Sequence, residues 1–388
     1  MYKISFYCPD RHIMYDGDTP DLHGVGGGIT SRIRMARALA SLGNSVEMIV
    51  NTPQRRLIDN VLYIPLNQCE KIEADILVLN TSGDRLDLSP IGDLTIETRL
   101  NILWVSGITM PLGLDKLSID YLYVKSNFLW EHVINNWGES TIPIFVTYNG
   151  VDERLFVHAE SQDIRRDPFR LIYCSHPAKG LDTAIAITQR LRSIDPRYHL
   201  KIFGGPELWG QNGNYSVVED GISYGGLIGQ KQLVKELFQS TFAFNLQEIQ
   251  EGFGLALIES MRAGCIVLAS NVGAFPELIQ EGENGFIFQG DHQSVQLRDK
   301  VRDKIIDLVD QPGLQAKIRA SAQSIRWDTG VISRTWVQHW QLLLNSGTLM
   351  DTGEKKCDNC SGRALRMADG DHCLVCGRFE PRHSNTDD

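Results

Sequence analysis

The chain has 388 residues, 42 % hydrophobic and 22 % charged, enough apolar material for two ordinary cores in a soluble globular protein. A net charge of -10 argues against a general grip on nucleic acid, though a local basic patch stays open. No apolar run reaches the roughly 18 residues that span a bilayer, and the opening MYKISFYCPDRH has no basic end leading into a long apolar core; a cytoplasmic protein is expected, with peripheral contact at the inner face of a membrane left open.

In chain order, buried strands are predicted at 2–8, 45–50, 74–80, 101–106, 120–126 and 144–148, where near-continuous apolar runs suit a parallel sheet covered on both faces. A helix from about Thr30 to Leu42 follows the first strand, with Ile29, Ile33, Ala36, Ala40 and Leu42 as its apolar stripe and Gly43 at the position of a left-handed cap. Further strands fall at 169–175, 199–205, 241–246, 265–270 and 285–288, alternating with helices near 181–194, 230–239, 253–263 and 293–309. Two doubly wound, Rossmann-like α/β domains facing a cleft account for this alternation, at 1–155 and 165–330, with the linker near 149–168. A helix at 331–346 and a polar tether at 347–356 come next. Cys8, Cys69, Cys174 and Cys265 stand apart and read as core thiols.

Three stretches carry chemistry. VGGGIT (25–30) sets glycines before a helix start, where backbone N–H groups favour an anion; a loose glycine loop is the plainer reading. SHPAKGLD (175–182) lies between a strand and a helix, where open α/β sheets bind ligands, and Lys179 there suits a phosphate or, more plainly, a solvated surface. EGFGLALIES (251–260) repeats that geometry, with Glu251 before a helix and Glu259 inside it. At about 1.5 Å of rise per residue the two carboxylates stand on the order of 10 Å apart, which suits two ends of one ligand better than one metal ion. The alternative has Glu251 favouring the helix start and Glu259 facing water.

With YNGVDERLF at the domain junction, KIFGG, and the long run EGFGLALIESMRAGCIVLASNVGAFPELIQEGENGFIF, these segments resemble the retaining glycosyltransferases of the GT-B fold, family four (glycosyl transferases group 1), over most of residues 20–346. The resemblance implies that Glu251 approaches the donor sugar and that Glu259 bonds the nucleotide ribose. It implies that Lys179 stabilises the leaving diphosphate and that the backbone around Phe253, Gly254 and Leu255 faces the diphosphate and sugar. Gly27 and Gly28 match the family's closing loop, and helix 331–346 its crossing helix. The donor implied is a nucleotide diphosphate sugar, with UDP slightly ahead of other bases, transferred to an acceptor hydroxyl on the first domain without a catalytic metal. The D-x-D triplet Asp16-Gly17-Asp18 reads as a loop. Two departures from the family pattern stand out. The arginine a few residues before the lysine is missing, with Tyr173, Cys174, Ser175 and His176 in its place, and WVSGITMP (104–111) has Ser106 but no histidine.

CDNCSGRALRMADGDHCLVCG (357–377) has the spacing C-x2-C-x12-C-x2-C, which suits a structural zinc held by Cys357, Cys360, Cys373 and Cys376 in a zinc-ribbon-like module at 357–380. Two disulfides are the alternative. His372 reads as a surface residue, and the module as a structural tail or a docking knob for another protein, ahead of a nucleic-acid reader. The resemblance implies a hexosyltransferase-type enzyme, with polysaccharide biosynthesis as its setting. The alternative is a weak or inactive sugar-nucleotide-binding scaffold that recruits partners through its zinc module.

Overall fold

A computed structural model describes residues 1–82, 86–138, 142–213, 219–325, 327–344, 355–357, 363–366, 370–373 and 379–381. These fall into two units, one of Met1–Asp18, Gly28–Val151 and Trp327–Arg382, the other chiefly of Thr19–Gly27 and Asp152–Arg326.

Eight strands form the main sheet of the first unit. They are β1 (Lys3–Tyr7), β2 (Ser45–Val50), β3 (Arg56–Ile58), β4 (Val61–Pro65), β5 (Lys71–Leu79), β6 (Thr95–Val105), β7 (Tyr121–Val124) and β8 (Ile144–Val146). Their order is β3-β4-β2-β1-β5-β6-β7-β8, so the direction of winding reverses between β1 and β5. Every pairing is parallel except β3 with β4. That hairpin was not expected from apolar periodicity. It turns on Asp59 and Asn60, both at positive φ (50° and 61°), as a two-residue hairpin turn of type I′ requires.

Helix α2 (Gly27–Ser41) buries Ile29, Ile33, Ala36 and Ala40, and Gly43 follows it at φ 85°. Leu42 is not part of the buried stripe; it is 41 % exposed. The helix also begins at Gly27 rather than near Thr30. A side chain at Gly28 would lie 2.5 Å from Ser82 Oγ, so the bare backbone lets the first turn pack directly on the segment after β5. Helix α3 (Asn127–Asn136) is capped by the Ser126 side chain, which accepts from the Leu129 amide. Helix α11 (Thr329–Leu344) belongs to the same unit. Its Trp336 is fully buried, edge-on to Trp104 at 4.9 Å and to Tyr123 at 5.0 Å, and donates through Nε1 to Thr147 Oγ1 at 2.8 Å.

Four short strands near the C-terminus, β15 (Lys355–Lys356), β16 (Arg363–Arg366), β17 (Gly370–Cys373) and β18 (Phe379–Pro381), pair antiparallel in that order. They are docked on the first unit. His372 is 1 % exposed and stacks on Phe145 with ring centres 4.5 Å apart, so it is not the surface residue expected. Phe379 meets Tyr148 edge-on at 4.6 Å, and its backbone exchanges two hydrogen bonds with the Asn127 amide, at 2.9 and 3.1 Å. The expected tether at 347–356 lies outside the described residues except for Lys355 and Lys356, which are strand.

In the second unit β9 (Asp167–Cys174), β10 (His199–Phe203), β11 (Ile222–Gly226), β12 (Ser240–Asn245), β13 (Ile266–Ser270) and β14 (Phe286–Phe288) form a wholly parallel sheet. The order β11-β10-β9-β12-β13-β14 reverses between β9 and β12. Its helices are α1 (Thr19–Leu22), α4 (Glu153–Glu160), α5 (Leu181–Arg192), α6 (Gln230–Gln239), α7 (Leu255–Arg262), α8 (Phe275–Leu278), α9 (Val295–Val309) and α10 (Pro312–Ser324). Spacing at i, i+3 and i+4 turns Leu181, Ala184, Ile187 and Leu191 of α5 into one core with Leu171, Leu200 and Phe242. Helix α4 covers residues expected to be linker. Arg262 ties it down, its Nε 2.9 Å from both Glu153 oxygens and Nη1 2.6 Å from Glu160. The long run of this unit starts at Asp152.

Candidate active site

In a doubly wound sheet, ligands settle beyond the carboxyl ends of the strands where the winding order reverses. In the second unit these ends are those of β9 and β12, and Lys179 follows the first while Glu251 follows the second. The β9 loop is shaped by glycine. Gly180 has φ 87°, and a Cβ there would lie 1.8 Å from the Leu246 carbonyl oxygen, so the loop presses on the end of β12 as only glycine allows. Upstream, the His176 carbonyl accepts from Tyr173 Oη at 2.6 Å and from the Lys179 amide at 2.9 Å. His176 Nδ1 accepts from the Ala178 amide at 3.1 Å, which leaves the proton on Nε2, 3.2 Å from Gln211 Oε1. The imidazole stacks on Trp209 at 3.6 Å, and burial holds its pKa below the usual histidine value, so it stays neutral near pH 7.

The β12 loop is held from the other side. The Glu251 carbonyl accepts from the Ala274 amide at 2.9 Å, and Gly273 packs flat on the Glu251 backbone, where a Cβ would come within 2.2 Å of its oxygen. Between these two pinned loops Lys179 and Glu251 form an ion pair, with side chains 21 % and 18 % exposed. Gln247 Nε2 donates to the same Glu251 oxygen at 3.2 Å, and Lys179 Nζ sits 5.9 Å from the centre of the Trp209 ring.

Helix α7 opens beside Glu251. Gly254, at φ 98°, forms its N-cap against the Phe275 ring, and the amides of Leu255 and Ala256 follow in the first turn, where helix geometry provides no acceptor. Phe253 is 3 % exposed, so its ring belongs to the core and only its backbone can face a ligand. Glu259 is 4 % exposed and does not face water; after burial and Cys265, its charge helps raise the pKa of Cys174, the last residue of β9. Gly27 groups with this unit, and a Cβ there would be 3.6 Å from Leu255 Cβ. Gly28 groups with the first unit, beside Ser82.

Asp16 and Asp18 both pair with Arg56, at 2.5 and 2.7 Å. Cys357 and Cys373 are buried together with Ala364, whereas Cys360 and Cys376 lie outside the described residues. Among the described residues no three His, Cys, Asp or Glu side chains are grouped to hold a metal ion. Sequence reasoning did not single out Trp209, Gln211 or Gln247. Trp209 had the clearest signal, a lone tryptophan in the polar loop PELWG after KIFGG.

Residues 163–324 match the family described as Glycosyl transferases group 1. Among curated proteins the chain is similar to the D-inositol 3-phosphate glycosyltransferase of Streptomyces scabiei (strain 87.22), at 32 % identity over 116 residues. That match covers 29 % of this chain, and the chain spans a quarter (25 %) of that relative's length. Among solved structures it resembles AviGT4, a glycosyltransferase involved in Avilamycin A biosynthesis, with TM-score 0.60, 16 % identity, and coverage of 88 % of this chain and 98 % of the other. It also resembles Anabaena Alr3699/HepE in complex with UDP, with TM-score 0.57, 16 % identity, and coverage of 89 % and 100 %. The chain therefore has the GT-B-like α/β fold of these glycosyltransferase structures.

Proposed function

We propose that the chain is a retaining glycosyltransferase that moves a sugar from a nucleotide diphosphate sugar, UDP-linked foremost, to an acceptor hydroxyl. The observation that carries this reading is the Lys179–Glu251 ion pair beside the opening of α7, at the winding reversal of the segment that matches the family. Lys179 exchanges Glu251 for the diphosphate when the donor binds, and its charge, with the α7 amides, stabilises the phosphate oxygens as the bond to the anomeric carbon breaks. Glu251, released from Lys179, turns to the hydroxyls of the donor sugar. Glu259, buried and a hydrogen-bond acceptor when ionised, takes the ribose hydroxyls. With Asp16 and Asp18 engaged by Arg56, the positive charge at the phosphates comes from Lys179 and the helix start. The acceptor is taken by the first unit. The solved relative bound to UDP favours uridine as the base.

Calorimetric titration with UDP, GDP, ADP and dTDP tests the donor half. One nucleotide should bind, and Lys179→Ala should weaken it about 10- to 100-fold, the worth of a charge-assisted contact. Equal affinity in the variant removes Lys179 from the site. We propose further that Cys357, Cys360, Cys373 and Cys376 hold a structural zinc. The burial of Cys357 and Cys373 in one cluster with Ala364 of β16, the strand between β15 and β17, supports this. No described helix is long and apolar enough to cross a membrane.

A further inference from the structure

The first unit has its own winding reversal, between β1 and β5, and its own polar groups beyond the carboxyl ends of the neighbouring strands. Asn80 follows β5, Ser106 follows β6, and Lys125 follows β7. Lys125 is 2 % exposed and lies over the Trp104 ring, its Nζ 4.4 Å from the ring centre. It donates to Ser106 Oγ at 3.0 Å and to Ser31 Oγ at 3.3 Å. No carboxylate among the described residues pairs with it; the nearby Asp10 is committed to Arg32 at 2.8 Å.

Ser106 is partly exposed, and its hydrogen-bonding capacity can be counted. A serine hydroxyl has two acceptor positions and one proton to give. Lys125 Nζ fills one acceptor position, and Asn80 Nδ2 fills the other at 2.8 Å. The Asn80 amide cannot be turned around, because the same Nδ2 also donates to the Trp104 carbonyl at 2.5 Å. The Ser106 proton has no acceptor among the described residues. It is a donor turned away from two donors, with an uncompensated cation behind it, and its best partner is an oxygen that carries negative charge.

We propose that Ser106 is the point at which the first unit meets an anionic oxygen group, carboxylate or phosphate, of the acceptor, with Lys125 as its positioning residue. This deepens the acceptor half of the function proposed above and rests on it. Lys125 positions by its protonation state. While charged it donates to Ser106 and keeps the serine proton outward; once neutral its nitrogen can accept that proton and turn it inward. Burial first, and then Arg32, lower the Lys125 pKa to about 7. Of the other groups around it, Asp10 is paired with Arg32, and burial pushes the Cys8 thiol up to about 11. A bound anion favours charged Lys125, so anion affinity is highest below pH 7 and falls as the pH rises through it.

The test follows the lysine itself. The full chain is labelled with 13Cε lysine, and the Lys125 signal is identified by its loss in Lys125→Met. It is then titrated with pH in sodium chloride, inorganic phosphate and acetate at matched ionic strength. Phosphate or acetate should move the midpoint upward by about one pH unit relative to chloride. The larger of the two movements names the group. The movement should be lost in Ser106→Ala and kept in Ser106→Thr. A midpoint that is the same in all three salts overturns the proposal, as does a movement that survives in Ser106→Ala. Because no sugar or nucleotide enters the measurement, it can succeed where nucleotide titration fails, and the two readings fall separately.

Discussion

Lys179 and Glu251 answer to one another. In the free protein each neutralises the other, and a diphosphate bound as proposed would compete with Glu251 for the same ammonium group. Removing the carboxylate charge therefore acts in two directions. Glu251→Gln should bind UDP as tightly as the parent or about 10-fold more tightly, while transfer falls at least about 100-fold, since the sugar hydroxyls lose a charged acceptor and one of its two oxygens becomes a donor. A UDP titration beside an initial-rate assay checks both; a variant with weaker UDP binding and unchanged turnover contradicts the assignment. Glu251 and Glu259 could be picked out from the sequence because both sit on a legible strand–loop–helix pattern. Their surroundings could not. Glu259 had a plainer alternative as a surface acid, against its apolar neighbours Ile258 and Met261, and the packing of α7 leaves it 4 % exposed. His372 went the opposite way from its expectation because its burial depends on Phe145, more than two hundred residues earlier in the chain.

At the scale of elements, most buried strands were visible as apolar runs, and several helices as helical stretches between them, the first ending at Gly43. What escaped was β4, although it reads Val61-Leu62-Tyr63-Ile64, and elements with little apolar content. The β3–β4 hairpin turns on an Asp-Asn pair that carries no glycine, β11 ends in two glycines on a sheet edge, and α10 buries only Gln315, Ile318 and Ala322. The pairing of Lys179 with Glu251 was likewise hidden, because it depends on how closely one loop approaches the end of another strand. Gly180 measures that closeness. Gly180→Ala adds a left-handed alanine and a Cβ within 1.8 Å of the Leu246 oxygen, so it should cost at least about 2 kcal/mol and weaken UDP binding together with stability. Thermal unfolding and the UDP titration on one sample check this, and an unchanged melting temperature would show that the loop stands off β12.

For the whole molecule, the C-terminal strands matter through what they cover. His372 and Phe379 close over Phe145 and Tyr148, so a zinc that holds these strands also holds a share of the first unit's surface. The purified chain should contain about one zinc. Stripping it with a strong chelator should lower stability by about 2–3 kcal/mol, the value of re-exposing two ring-sized apolar surfaces, and should leave the proposed UDP site of the second unit intact. Metal analysis and paired melting curves decide it; a metal-free chain with an unaltered melt removes the zinc and its structural part together.

The first unit is not continuous along the chain: Trp336, at the centre of its aromatic core, is separated from Trp104 and Tyr123 by Asp152–Arg326 of the second unit. On the ribosome, at about 5–20 residues per second, the second unit is complete before that tryptophan is made. The half that begins the chain thus finishes folding last. Until α11 emerges, its sheet waits with an open seat at Trp104 and Tyr123, an interval in which a chaperone has more to protect than at any later moment.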